Sequence, residues 1–115
     1  MPVRSLTSSV IRWPDRGSVL EAVRAWSADV RRRAEVVRVG CFGSLVRGDW
    51  GVGSDADLVV IVEASADPFY RRRIGYDASA LPVPADLLVY TEAEWGEMTA
   101  GGRQPLGPVE WIEPR

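Results

Sequence analysis

The feature that most constrains this chain is the run Leu58-Val59-Val60-Ile61-Val62, preceded directly by Ser54-Asp55-Ala56-Asp57. A run so short and so apolar predicts a strand buried on both faces. Side chains two residues apart on a strand point to the same side. Asp55 and Asp57 are therefore predicted to project together at the mouth of a buried strand. Two like charges that close are unfavourable unless a cation bridges them or one is protonated. Mg²⁺ is the natural cation, because it prefers carboxylate oxygens combined with substrate phosphates and water.

The rest of the pattern predicts one small α/β domain over residues 1–115, a mixed sheet with helices packed on one face. Residues 1–16 read as an arm. Ser18 and Glu21 make a capping-box pattern, and Val19, Val23, Trp26 and Val30 form one apolar helical stripe ending near Arg33 or Ala34. Val36 to Phe42 is a strand, Leu45 to Arg47 a single helical turn, and 48–53 a glycine-rich loop. The buried strand is expected over Asp57 to Glu63. A short helix is expected from Pro68 through Ile74, and Pro82 and Pro84 end that region. Ala85 to Tyr90 is a third strand, with Asp86 just inside it. Thr91 and Glu94 form a second capping-box pattern, opening a helix through about Met98 that Gly101-Gly102 stop. If the third strand neighbours the second, Asp55, Asp57 and Asp86 converge.

Composition removes many alternatives. The 115 residues include no His and a single cysteine, Cys41, and all 14 basic residues are Arg. Histidine-based catalysis, a cysteine-rich zinc site, an internal disulfide, a P-loop lysine and a Schiff-base lysine are thereby excluded. What remains is carboxylates, hydroxyls, arginines and a hard metal ion. The net charge of −2 gives no reason to expect direct nucleic-acid binding. The longest apolar run is too short to span a membrane, and residues 1–17 do not resemble a signal peptide. A cytoplasmic location is expected.

The Gly43-Ser44 turn supplies groups of another kind. Glycine lets backbone N–H groups approach a phosphate closely, and the short helix after it offers N–H groups to the same anion. Ser44 adds a hydroxyl, and Arg47 can meet a phosphate or a carboxylate. Plainer roles stand beside these. Ser54-Asp55 also suits a turn before a strand, Arg47 a structural ion pair, and Cys41 and Trp26 the core. The runs Arg31–Arg33 and Arg71–Arg73 read as solvated faces. Trp13, Trp50, Trp95 and Trp111 find no place in the pattern, and a partner surface is one use for them.

Taken in order, Phe42-Gly43-Ser44-Leu45-Val46-Arg47-Gly48, then Ser54-Asp55-Ala56-Asp57-Leu58, then Asp86 in a later strand, resemble the DNA polymerase β-like nucleotidyltransferases. The wording is most similar to the minimal nucleotidyltransferases of prokaryotes, many encoded beside a helical HEPN-type protein in toxin–antitoxin pairs. The resemblance covers about residues 36–90. It implies that Gly43 and Ser44 hold the triphosphate of ATP or another NTP; Arg47 and Ser54 are further nucleotide-binding candidates beside them. It implies that Asp55 and Asp57 bind two Mg²⁺ ions, and that Asp86 completes one metal site and helps activate an acceptor hydroxyl. It also implies a HEPN-type partner as acceptor. The alternatives are a module that masks such a partner with little catalysis, or transfer to a small molecule.

Overall fold

The computed structural model describes residues 13–114; most of the expected arm lies outside them. The order is α1 (Arg16–Val30), β1 (Val36–Phe42), α2 (Ser44–Arg47), β2 (Ala56–Val62), α3 (Phe69–Arg72), a 3-10 turn (Arg73–Gly75), β3 (Ala85–Thr91), α4 (Glu92–Met98), a second 3-10 turn (Ala100–Gly102) and β4 (Glu110–Ile112). The four strands form one mixed sheet in the order β3-β2-β1-β4. β1 runs antiparallel to both neighbours, while β2 and β3 are parallel. The small mixed α/β architecture is the one expected from the sequence.

Helix α1 begins earlier than the Ser18–Glu21 pattern suggests. Asp15 is the N-cap, and its carboxylate accepts from the Ser18 N–H at 2.7 Å. Aspartate caps as well as serine does, and here it stands three residues nearer the chain start. The helix also stops at Val30, where the apolar stripe ends. Val19, Leu20, Val23, Trp26 and Val30 are buried there against Val39, Cys41, Leu58, Val60 and Val62. Each such side chain, fully buried, stabilises the fold by about 1.5–3 kcal/mol. Trp26 also donates its indole N–H to the Asp77 carbonyl at 2.9 Å, tying the 76–84 loop to α1.

Strand alternation sends Val59 and Ile61 to the opposite face. There they meet Trp95 of α4, flanked by Phe42, Tyr90, Met98, Leu106, Val109 and Trp111. The long helix thus lies on one face as expected, and the short α4 lies on the other, because β2 is apolar on both sides. The Thr91–Glu94 capping box forms as predicted. Gly40 has no room for a side chain: a Cβ there would come within 2.7 Å of the Trp111 ring.

Several surface expectations change. Arg72 is not on a solvated face: its side chain is only 9% exposed and pairs with Glu94 at 2.6 Å. It also donates to the Val89 and Asp67 carbonyls. The reason is that α3 lies along β3, whose outward carbonyls need donors. Arg33 pairs with Glu35 and lies over the Tyr76 ring, and Arg31 donates to the Ile112 carbonyl. Arg32 conforms, exposed beside Asp29. The unplaced tryptophans are used inside the molecule. Trp95 and Trp111 meet edge to face at 5.7 Å, and Trp13 and Trp50 pack on the main core.

Candidate active site

Three of the sequence candidates come together at one end of the sheet. β2 and β3 pair in parallel with Asp57 directly opposite Asp86. Adjacent strands lie about 4.8 Å apart, so the two side chains rise beside each other. They share the face of Val59 and Ile61, opposite α1. Asp55 stands one residue before β2 and is exposed, Asp57 is half-buried, and Asp86 is exposed. α4 and the 3-10 turn after it cover only the far end of this face.

The carboxylates burden one another. The Asp57 carboxyl is pushed above the ordinary aspartate range, first by burial, then by the charges of Asp86 and Asp55, with Arg47 partly offsetting them. Arg47 itself is mainly engaged with Asp49, at 3.1 Å on the surface, which is the plainer role foreseen for it.

The Gly43 turn packs directly on this cluster. In the β1–β2 pairing Phe42 lies opposite Asp57, so the turn after β1 passes over the carboxylate. Gly43 has φ +68°, and a Cβ built on it would lie 2.1 Å from the Asp57 Oδ2. Glycine is thus demanded twice, by the left-handed backbone and by contact with the acid. α2 follows at once with no side-chain cap. Its Val46 and Arg47 N–H groups bond the Gly43 carbonyl, both at 2.9 Å. Ser54 closes the intervening loop: its hydroxyl accepts from the Gly51 N–H at 3.0 Å. Cys41, beneath the turn, is fully buried and its thiol is pushed up to about 11, chiefly by burial. It is a core residue.

The donor set suits Mg²⁺. Three carboxylates gather at one edge, and like-charge repulsion there is what a cation would relieve. Among the described residues no three His, Cys, Asp or Glu side chains are placed to hold a metal ion by themselves. Mg²⁺ is usually held by one or two carboxylates together with substrate phosphates and water, not by an all-protein cage.

Sequence reasoning missed Trp13, Arg16 and Trp50, which brace the loops of this site. Trp13-Pro14 stands immediately before α1, but nothing in the pattern shows that α1 begins beside the 50–54 loop.

A profile of the family described as "Nucleotidyltransferase domain" matches residues 23–105. That span includes β1, β2, β3 and every aspartate of the cluster, and the chain belongs to this family. By that membership it is a nucleotidyltransferase. In fold it is similar to a protein from Sulfolobus solfataricus, described as a candidate nucleotidyltransferase and solved at 1.40 Å. The TM-score is 0.65 at 17% identity, over 87% of this chain and 84% of the other. No curated protein matches it in sequence. Among the described residues, no helix is long and apolar enough to cross a membrane.

Proposed function

We propose that the chain carries out Mg²⁺-dependent transfer of a nucleoside monophosphate, AMP from ATP by default, to a hydroxyl on a protein partner of the helical HEPN type. The observation that supports this reading best is the register of Asp57 against Asp86, with Asp55 beside them and the Gly43 turn pressed on Asp57.

On this reading Asp55 and Asp57 would hold two Mg²⁺ ions, with Asp86 as a further ligand. Bound there, the metal would neutralise phosphate charge and lower the acceptor's pKa. The backbone N–H groups at Gly43 and Ser44 and the Ser44 hydroxyl hold the triphosphate, with Arg47 and Ser54 at its rim. Asp86 receives the proton of the acceptor hydroxyl as its oxygen bonds to the α-phosphorus. The bond from that phosphorus to the bridging oxygen breaks, and pyrophosphate leaves. Nearly all the catalysis is then positioning and charge neutralisation, as is usual for phosphoryl chemistry.

The experiment is co-expression with a helical HEPN-type protein, followed by intact-mass measurement of that protein. A gain of one nucleotide, absent with Asp55→Ala or Asp57→Ala, is the expected result. Efficient transfer to a small molecule with no partner present would overturn the acceptor assignment. Tight binding of the partner with no transfer would point to masking.

A further inference from the structure

The start of α1 is bonded to both loops of the site at three points. The Trp13 indole N–H donates to the Ser54 carbonyl at 3.2 Å. The Trp50 indole N–H donates in the opposite direction, to the Pro14 carbonyl at 2.9 Å. Arg16 Nε donates to the Leu45 carbonyl of α2 at 2.6 Å. Both indoles are partly buried against the main core, so these bonds are shielded and the rings have fixed seats.

The three aspartates are not held alike. Asp57 and Asp86 lie within strands and are fixed by the sheet. Asp55 lies outside β2, at the end of a loop running from Gly48, where the chain takes a left-handed turn at φ +91°. The Ser54 carbonyl and the Asp55 N–H belong to one rigid peptide plane. A donor on that carbonyl therefore sets the orientation from which the Asp55 side chain departs.

We propose that Trp13 and Trp50 are positioning residues for nucleotidyl transfer: a crossed pair of indole bonds that aims Asp55. Arg16 braces the α2 turn in the same way. The proposal rests on the assignment of Asp55 to the metal–nucleotide site. Outer partners that orient metal ligands commonly matter about 10–100-fold in metal affinity.

The test is a double-mutant cycle read by ATP titration at a series of Mg²⁺ concentrations. The proteins are wild type, Trp13→Phe, Asp55→Asn and the double variant, with Trp50→Phe run in parallel. Phenylalanine keeps an aromatic ring in the seat and deletes the N–H. Each single Trp variant is expected to raise the Mg²⁺ needed for half-maximal ATP binding about tenfold. In the Asp55→Asn background the same change should cost less than about twofold, because the group it aims is gone. A loss of equal size in both backgrounds, or in neither, overturns the proposal. So does unfolding of both Trp variants, which would make the indoles plain core residues. Arg16→Lys should retain more binding than Arg16→Met, since lysine keeps a donor for the Leu45 carbonyl and methionine has none; equal loss in the two would overturn the brace. If wild type itself shows no Mg²⁺-dependent binding of any NTP, the reading of the site fails; if wild type binds and the cycle is additive, only the positioning role fails.

Discussion

One face of the sheet carries acidic side chains at both ends, and the two ends treat them in opposite ways. At the far end Glu94 has every partner it needs. Arg72 meets it through two nitrogens, at 2.6 and 3.1 Å, and the Thr91 N–H donates to it at 2.8 Å. Its carboxyl is held down to about 2, first by the bond from Arg72 and then by Thr91. Aromatic packing continues the same theme, Phe69 on Tyr90 at 5.0 Å and Tyr90 near Trp95 at 5.8 Å. At the near end Asp57 faces two more carboxylates and its pKa moves the other way. The same face therefore bears, on the helices at its far end, a region built for stability and, on the strands at its near end, a region left electrostatically incomplete. Clustered like charge with a raised pKa is a physical mark of a functional site, and under the proposed function a cation bound there relieves it.

The contrast predicts that substitutions at the two ends separate activity from stability. The largest expected effect is at the near end. Asp57→Asn should reduce nucleotidyl transfer by about 10²–10³-fold, measured on the proposed acceptor. Its melting temperature should match or slightly exceed wild type, since a carboxyl whose folded pKa is raised costs stability at neutral pH. A variant that unfolds would instead make Asp57 a structural residue.

Gly43→Ala should be next. It forces a Cβ onto the Asp57 carboxylate and a left-handed φ onto alanine, a strain of roughly 1–3 kcal/mol. Weakened nucleotide binding with some loss of stability is expected, read by titration and denaturant unfolding. Unchanged binding would mean that the turn does not touch the substrate.

At the far end Glu94→Gln should leave Mg²⁺-dependent nucleotide binding intact and cost about 1 kcal/mol of stability at pH 7, for a weakened ion pair whose acid is partly exposed. The effect must depend on pH. The folded pKa of Glu94 lies below its ordinary 4.5, so its contribution is present above about pH 4.5. That contribution is lost as the pH falls toward about 2. Urea unfolding at pH 7 and pH 3 should show the gap between variant and wild type shrinking in acid. A constant gap would mean that the charge of Glu94 does not matter.

The near end was the more legible of the two in the sequence. Asp55, Asp57 and the Gly43-Ser44 turn are local signals, set by strand alternation and by the needs of a tight turn. The convergence of Asp86 required only that β3 lie beside β2. The far end was half legible: the Thr91–Glu94 box is local, but the partner of Glu94 is 22 residues away, in a run of three arginines that pattern alone assigns to solvent. Trp13 and Trp50 were illegible for the same reason, since each bond joins segments more than 30 residues apart. The displaced start of α1 is a smaller lesson, two adequate caps three residues apart with the earlier one used.

Under the proposed function the incomplete end of the sheet holds a metal–triphosphate complex. Calorimetric titration of ATP and the other NTPs, with and without Mg²⁺, on wild type and Asp57→Asn tests it most directly. Binding of at least one NTP should require Mg²⁺ in wild type and be lost in the folded variant. Binding of every NTP that ignores Mg²⁺, or that survives Asp57→Asn unchanged, would contradict it.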